Sequence, residues 1–88
     1  MACYIVNYDL RKPGRDYTEL YEKIKSYSTW AHITESMWAI VSSKSAYDIY
    51  NDLAQVVDSN DALFVLRSGT EATWNNVLCR SQWLKDNL

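Results

Sequence analysis

Eighty-eight residues, 48% hydrophobic and 23% charged, make one domain's worth of chain and exclude a disordered or low-complexity protein. Nine Lys+Arg against eleven Asp+Glu leave a net charge of −2, so attraction to long polyanions through overall charge is not expected. Two cysteines, Cys3 and Cys79, are too few for a disulfide scaffold, and a single histidine excludes a Cys–His metal cluster.

The chain does not open on a basic segment followed by an apolar one, so no signal peptide is expected. No apolar run approaches the roughly 18–20 residues of a membrane span, so no membrane partner is expected. Both cysteines sit among apolar residues and read as reduced, buried thiols, which fits a cytoplasmic protein. Two glycines and one proline argue for regular elements with short connections. Four Trp, seven Tyr and one Phe exceed what a small core needs, so some should face a partner or ligand.

In chain order, Cys3-Tyr4-Ile5-Val6-Asn7-Tyr8 is rich in β-branched and aromatic residues and predicts a strand. Asp9 through Arg15 reads as a loop punctuated by Pro13-Gly14. Asp16 and Glu19 form an acidic variant of the capping box, and Tyr17, Leu20, Tyr21, Ile24 and Tyr27 follow on one helical face. Residues 30–35 and 37–42 predict two strands joined by a tight turn at Glu35-Ser36. Ser45 is a second N-cap, ahead of the stripe Ala46, Ile49, Tyr50, Leu53, Val56 and Val57. Asp58-Ser59-Asn60-Asp61 ends that helix, and 62–66 is a continuous apolar strand. Trp74, Val77, Leu78, Trp83 and Leu84 suggest a terminal helix or a docking arm.

The order βαββαβ plus a tail predicts one α+β domain over 1–88. Its form is a ferredoxin-like sandwich, a four-stranded antiparallel sheet with both helices on one face. The other face of such a sheet is ordinarily polar. Here strands 1, 3 and 4 are apolar at nearly every position, so something must cover that face. A twofold copy of the same sheet is the simplest cover, which predicts a homodimer with the sheet face buried. The tail, 67–88, is expected to dock on its own domain or on the partner subunit.

Several residues suggest chemistry, each beside a plainer role. Arg11, Lys12 and Arg15 put three positive charges within five residues, as a phosphate-contacting loop or as a solvated one. Arg67, ending the last strand, is expected to join them. Asn7 shares a strand face with Asp9, to donate to a phosphate or base or to bond within a dimer seam. Tyr8, Trp30 and Trp38 are candidates to stack on bases or to pack in the core. His32, on a face with Trp30 and Thr34, is a general acid or a packed histidine. Asp9 itself suits the start of a turn. Glu35, Asp58 and Asp61 read as solvated ends.

The opening Tyr4-Ile5-Val6-Asn7-Tyr8-Asp9-Leu10 on this element order resembles the small dimeric CRISPR-associated nucleases of the Cas-two type. It is closer still to their SinR-like relatives, and more distantly similar to virulence-associated protein D. Lys12-Pro13-Gly14, Asp16-Tyr17, Trp30, His32, the hairpin from Ser36 to Trp38, and Asn60-Asp61 extend the likeness over roughly residues 4–66. The resemblance implies that Asp9 is a metal ligand, catalytic with its symmetry mate across the dimer, holding Mg²⁺ to activate water at a phosphodiester. His32 is then a candidate second catalytic group, and Asn7, Tyr8, Arg11, Lys12, Arg15, Trp38 and Arg67 candidate nucleic-acid or nucleotide contacts.

Together these readings predict a homodimeric phosphodiester-binding protein, in its enzymatic form a Mg²⁺-dependent nuclease acting on RNA. The acidic balance also suits a non-catalytic protein that sequesters a nucleotide or cyclic dinucleotide, of the phage-defence or counter-defence type. The abundance of Trp and Tyr suits an antitoxin or protein-interaction module.

Overall fold

Alternation along the first segment builds the central strand. Tyr4, Val6 and Tyr8 are buried on one side, and the side chains between them point to the other. The computed structural model describes residues 1–12, 14 and 16–88. Its elements are β1 (Ala2–Asp9), α1 (Thr18–Lys25), β2 (Thr29–Thr34), β3 (Met37–Ser42), α2 (Ala46–Ala54), β4 (Ala62–Arg67) and α3 (Ser81–Asn87). The sheet runs β2-β3-β1-β4, every neighbouring pair antiparallel. This is an α+β domain consistent with the ferredoxin-like order, extended by α3.

Both helices keep the stripes expected of them. Leu20 and Ile24 of α1, with Ile49 and Leu53 of α2, are fully buried against Tyr4, Val6, Tyr8, Trp38 and Ile40 of the sheet. Burying each of these aliphatic side chains contributes about 1.5–3 kcal/mol. Ser45 caps α2 as expected, its hydroxyl accepting from the Asp48 N–H at 3.1 Å. The start of α1 differs. Its N-cap is Tyr17, and Asp16, one residue earlier, accepts from the Thr18 N–H at 2.9 Å instead of boxing with Glu19.

The second face of the sheet is covered in part by the chain's own tail. Leu84 of α3 is 1% exposed and packs with Cys3, Ile33 and Ala39, flanked by Trp74, Val77, Cys79, Trp83 and Leu88. The tail is also hydrogen-bonded in place. The Leu78 N–H donates to the Ile33 carbonyl at 2.8 Å, and Trp83 Nε1 donates to Thr29 Oγ1 at 3.1 Å. A bulge in β2 makes the first of these possible. His32 lies opposite Trp38 and Thr34 opposite Met37, which leaves Ile33 without a partner on β3. Asn76, at φ 55, turns the incoming segment.

Cover therefore comes in cis over β2, β3 and the first half of β1. It does not extend over the strip where Phe64 and Leu66 of β4 lie beside Asn7 and Ile5, respectively. There Phe64 is 61% and Leu66 42% exposed. Among the described residues no helix is long and apolar enough to cross a membrane. Cys3, buried, and Cys79, partly buried, are both free thiols.

Candidate functional site

Asp9 is the last residue of β1, paired with Ala62 and exposed. Its Oδ2 lies 3.2 Å from Arg11 Nε, in an ion pair with both side chains more than half in solvent. The chain after it is held from behind. Asp61 Oδ1 accepts from the Arg11 N–H at 2.7 Å and from the Tyr17 hydroxyl at 2.9 Å, and its Oδ2 accepts from the Asp58 N–H at 2.8 Å. Asp58 in turn sits 3.5 Å from Lys12 Nζ and accepts from the Asn60 N–H at 3.1 Å. Asp58 and Asp61 are thus not solvated ends. They tie the β1–α1 connection to the turn before β4. Two aspartates three apart around Ser59-Asn60 mark the expected break after α2, but only the fold sets that turn against the β1–α1 connection. Gly14 takes φ 80 in this connection, a conformation that costs glycine little. Arg15, expected beside Arg11 and Lys12, lies outside the described residues.

Two of the expected companions are elsewhere. Arg67 pairs with Tyr4 while Asp9 pairs with Ala62. Five strand positions, about 17 Å, separate them, so Arg67 does not join the basic loop. An antiparallel β4 runs away from that loop, so its last residue lies far from the end of β1. His32 lies near the same end of the sheet as Asp9 but on the helix-covered face, whereas Asp9 points with Asn7 to the other face. Asp9 and His32 therefore make no catalytic pair within one chain. Asn7 does stay with Asp9, exposed beside Phe64.

His32, Trp38 and Tyr8 belong instead to an aromatic nest at the end of α1. The His32 ring lies flat on Trp38, centroids 4.0 Å apart and planes 8° from parallel. Its Nε2 is 3.1 Å from the Glu35 carbonyl. The same carbonyl accepts from the Tyr8 hydroxyl at 3.2 Å, and that hydroxyl accepts from Trp38 Nε1 at 2.9 Å. Burial pushes the Tyr8 phenol above its ordinary range, against a downward pull from the Trp38 N–H. Tyr21 stacks 6.3 Å from Trp38, Trp30 tilts against it at 5.5 Å, and Lys25 Nζ lies 5.3 Å from the centre of the Trp30 ring. With Trp38 3% and Tyr8 6% exposed, neither offers a ring face to a base. Both are core residues, packed with Tyr4, Val6, Leu20 and Ile24 between the sheet and the helices.

A metal finds few donors. Among the described residues no three His, Cys, Asp or Glu side chains gather to hold an ion. The arrangement at the end of β1 offers exposed cations on a braced backbone, one exposed carboxylate paired with Arg11, and an adjoining open apolar strip. No family model matches this sequence, and no solved structure matches it significantly.

Proposed function

We propose that the protein is a homodimeric, Cas-two-like phosphodiester-binding protein of the cytoplasm. Its ligand lies at the seam between two copies, near the ends of the two β1 strands. One observation supports the reading above others. Asp9, Arg11 and Lys12 stand exposed at the rim of the strip of sheet that the tail leaves open. Lys12 faces Asp58, whose side chain is mostly buried, and Arg11 faces the Asp9 carboxylate near solvent, a kind of pair worth about 0–1 kcal/mol. A phosphate oxygen can replace that carboxylate at little cost, while Asp61 keeps the Arg11 backbone in place. The net charge of −2 favours a small ligand, a nucleotide or cyclic dinucleotide, over a long duplex.

Mg²⁺ asks for near-octahedral oxygen ligands. Among the described residues of one chain no three such donors gather at Asp9, and Arg11 already stands beside it, so they do not fit that ion. The nuclease reading then depends on the partner's Asp9.

Purified protein incubated with labelled single-stranded RNA or with a labelled cyclic dinucleotide, in Mg²⁺ and in chelator, tests the proposal. Binding without catalysis returns the ligand intact after denaturation, and joint replacement of Arg11 and Lys12 by alanine weakens retention about tenfold. Shortened products that need Mg²⁺ and disappear in Asp9→Asn would make the protein a nuclease instead. One abundant protein partner, with no nucleotide bound, would replace both readings with an antitoxin or adaptor role.

A further inference from the structure

We infer that Phe64 of each protomer seats in a cavity between the sheet and the tail of the other protomer. Each chain then supplies one knob and one hole to a twofold interface. The inference rests on the homodimer reading above and gives it a residue-level form.

The hole is on the second face of the sheet. Where residues 68–77 arch over the strands, they leave an open-sided cavity of about 470 Å³. Its apolar walls include Ile5, Ile33, Met37, Leu66, Trp74 and Leu84. A dry cavity of about 150 Å³ accepts a benzene ring, so this one has ample room for a phenyl group. The knob is next to it. Phe64 is two residues from Leu66 on the same face of β4, and Leu66 belongs both to the cavity wall and to the exposed strip.

Three features favour a second copy over other occupants. A small apolar molecule could fill the hole but would leave Phe64 in water, whereas a second copy buries both. An isologous interface needs one patch that complements itself, and a patch carrying both knob and hole does so. The charges at its rim permit it as well. Asp9 and Arg11 balance each other within each chain, so two copies can meet at that rim without like-charge repulsion.

Sedimentation equilibrium through the micromolar range, on wild type, Phe64→Ala and Ala72→Phe, tests the inference. Phe64 and Ala72 are both exposed, so neither change disturbs the monomer core, and circular dichroism checks that each variant is folded. Phe64→Ala removes the knob. Ala72→Phe, in the cavity lining, blocks the hole. Each should weaken the wild-type dimer about 100-fold, roughly tenfold for each of two equivalent ring contacts. Anilinonaphthalene sulfonate should stay dark with the wild-type dimer and brighten with Phe64→Ala.

A wild-type dimer that either variant leaves equally tight overturns the seating of Phe64 and leaves the homodimer standing. A dimer that lights the dye as strongly as Phe64→Ala does likewise, and identifies the cavity as a small-molecule pocket. A wild-type protein that is monomeric throughout overturns the homodimer reading and this inference together.

Discussion

The two faces of the sheet solve the same problem by different means. On one, two helices with regular apolar stripes enclose Tyr4, Val6, Tyr8, Trp38 and Ile40. On the other, a tail with a seven-residue helix covers Cys3, Ile33 and Ala39 and stops short of Phe64 and Leu66. The helix face is anchored in mid-chain, so no element there can leave without unfolding the rest. The tail reaches its face through residues 68–73, which form no helix or strand. The difference separates a face that carries global stability from one that can open locally and can meet another molecule.

Leu53 and Leu84 measure that separation, because both are essentially fully buried leucines on helices. Leu53→Ala should cost about 3–4 kcal/mol, the upper part of the range for buried leucine, since packed neighbours on both sides resist collapse. A chain of this size has only about 5–10 kcal/mol in total, so the variant should be close to unfolding. Leu84→Ala should cost about 2 kcal/mol or less, because α3 can undock without the sheet. Urea unfolding checks both. Equal losses at the two sites would make the tail an integral part of one cooperative unit.

Next in size is the buried hydroxyl of the helix face. Tyr8→Phe leaves the buried Trp38 Nε1 without its acceptor, and should cost about 1–3 kcal/mol. Tyr50, 42% exposed on α2, serves as the control. Tyr50→Phe should change stability by less than about 0.5 kcal/mol. Thermal unfolding of the two variants side by side gives the difference directly.

These contrasts also mark what the residues alone could disclose. Periodicity located both helix stripes, the Ser45 cap and the four strands, because each depends on neighbours within a few positions. It also showed that the second face is too apolar to be left in water, but not what covers it. The answer lies in Leu78 bonding to Ile33, a contact made possible by a bulge that no strand periodicity reports. The site was legible in the same uneven way. Asp9, Arg11 and Lys12 are adjacent in sequence and stay together in space. Arg67 was misplaced because its position depends on strand direction. His32 was read on the right strand, but its stacking on Trp38 depends on the register between β2 and β3. Asp61, fifty residues from Arg11, braces its backbone through a contact that only the fold creates.

At high pH the helix face should weaken first at Tyr27. Burial, together with its hydrogen bond to Asp52 at 2.9 Å, raises the Tyr27 phenol above the ordinary value of 10.0. A raised folded pKa gives stability that is fully present below the unfolded pKa and is lost as pH climbs through the folded one. Stability should therefore fall above pH 10, with a slope of no more than about 1.4 kcal/mol per pH unit and less in practice, because the ring is partly exposed and screened. Tyr27→Phe should flatten that slope in urea unfolding followed against pH. An unchanged slope would assign the alkaline loss to Tyr8 or Cys3, whose phenol and thiol are also raised by burial.

The smallest effect belongs to the other half of the same contact. Asp52 is held below the ordinary 3.8 by Lys44, whose Nζ donates to it at 2.6 Å, and then by the Tyr27 hydroxyl. A lowered folded pKa works in the opposite sense. Its stabilisation is present above the unfolded value and is lost as pH falls through the folded one. The group lies near solvent, so the contribution should be no more than about 0.5–1 kcal/mol and should shrink with added salt. Lys44→Ala should remove most of it at pH 7 and almost none at pH 2. Unfolding at those two pH values, in low and high salt, separates this surface pair from the packing beneath it. A Lys44→Ala loss that persists at pH 2 would instead come from the ammonium over the Tyr27 ring, where Nζ lies 5.9 Å from the centroid.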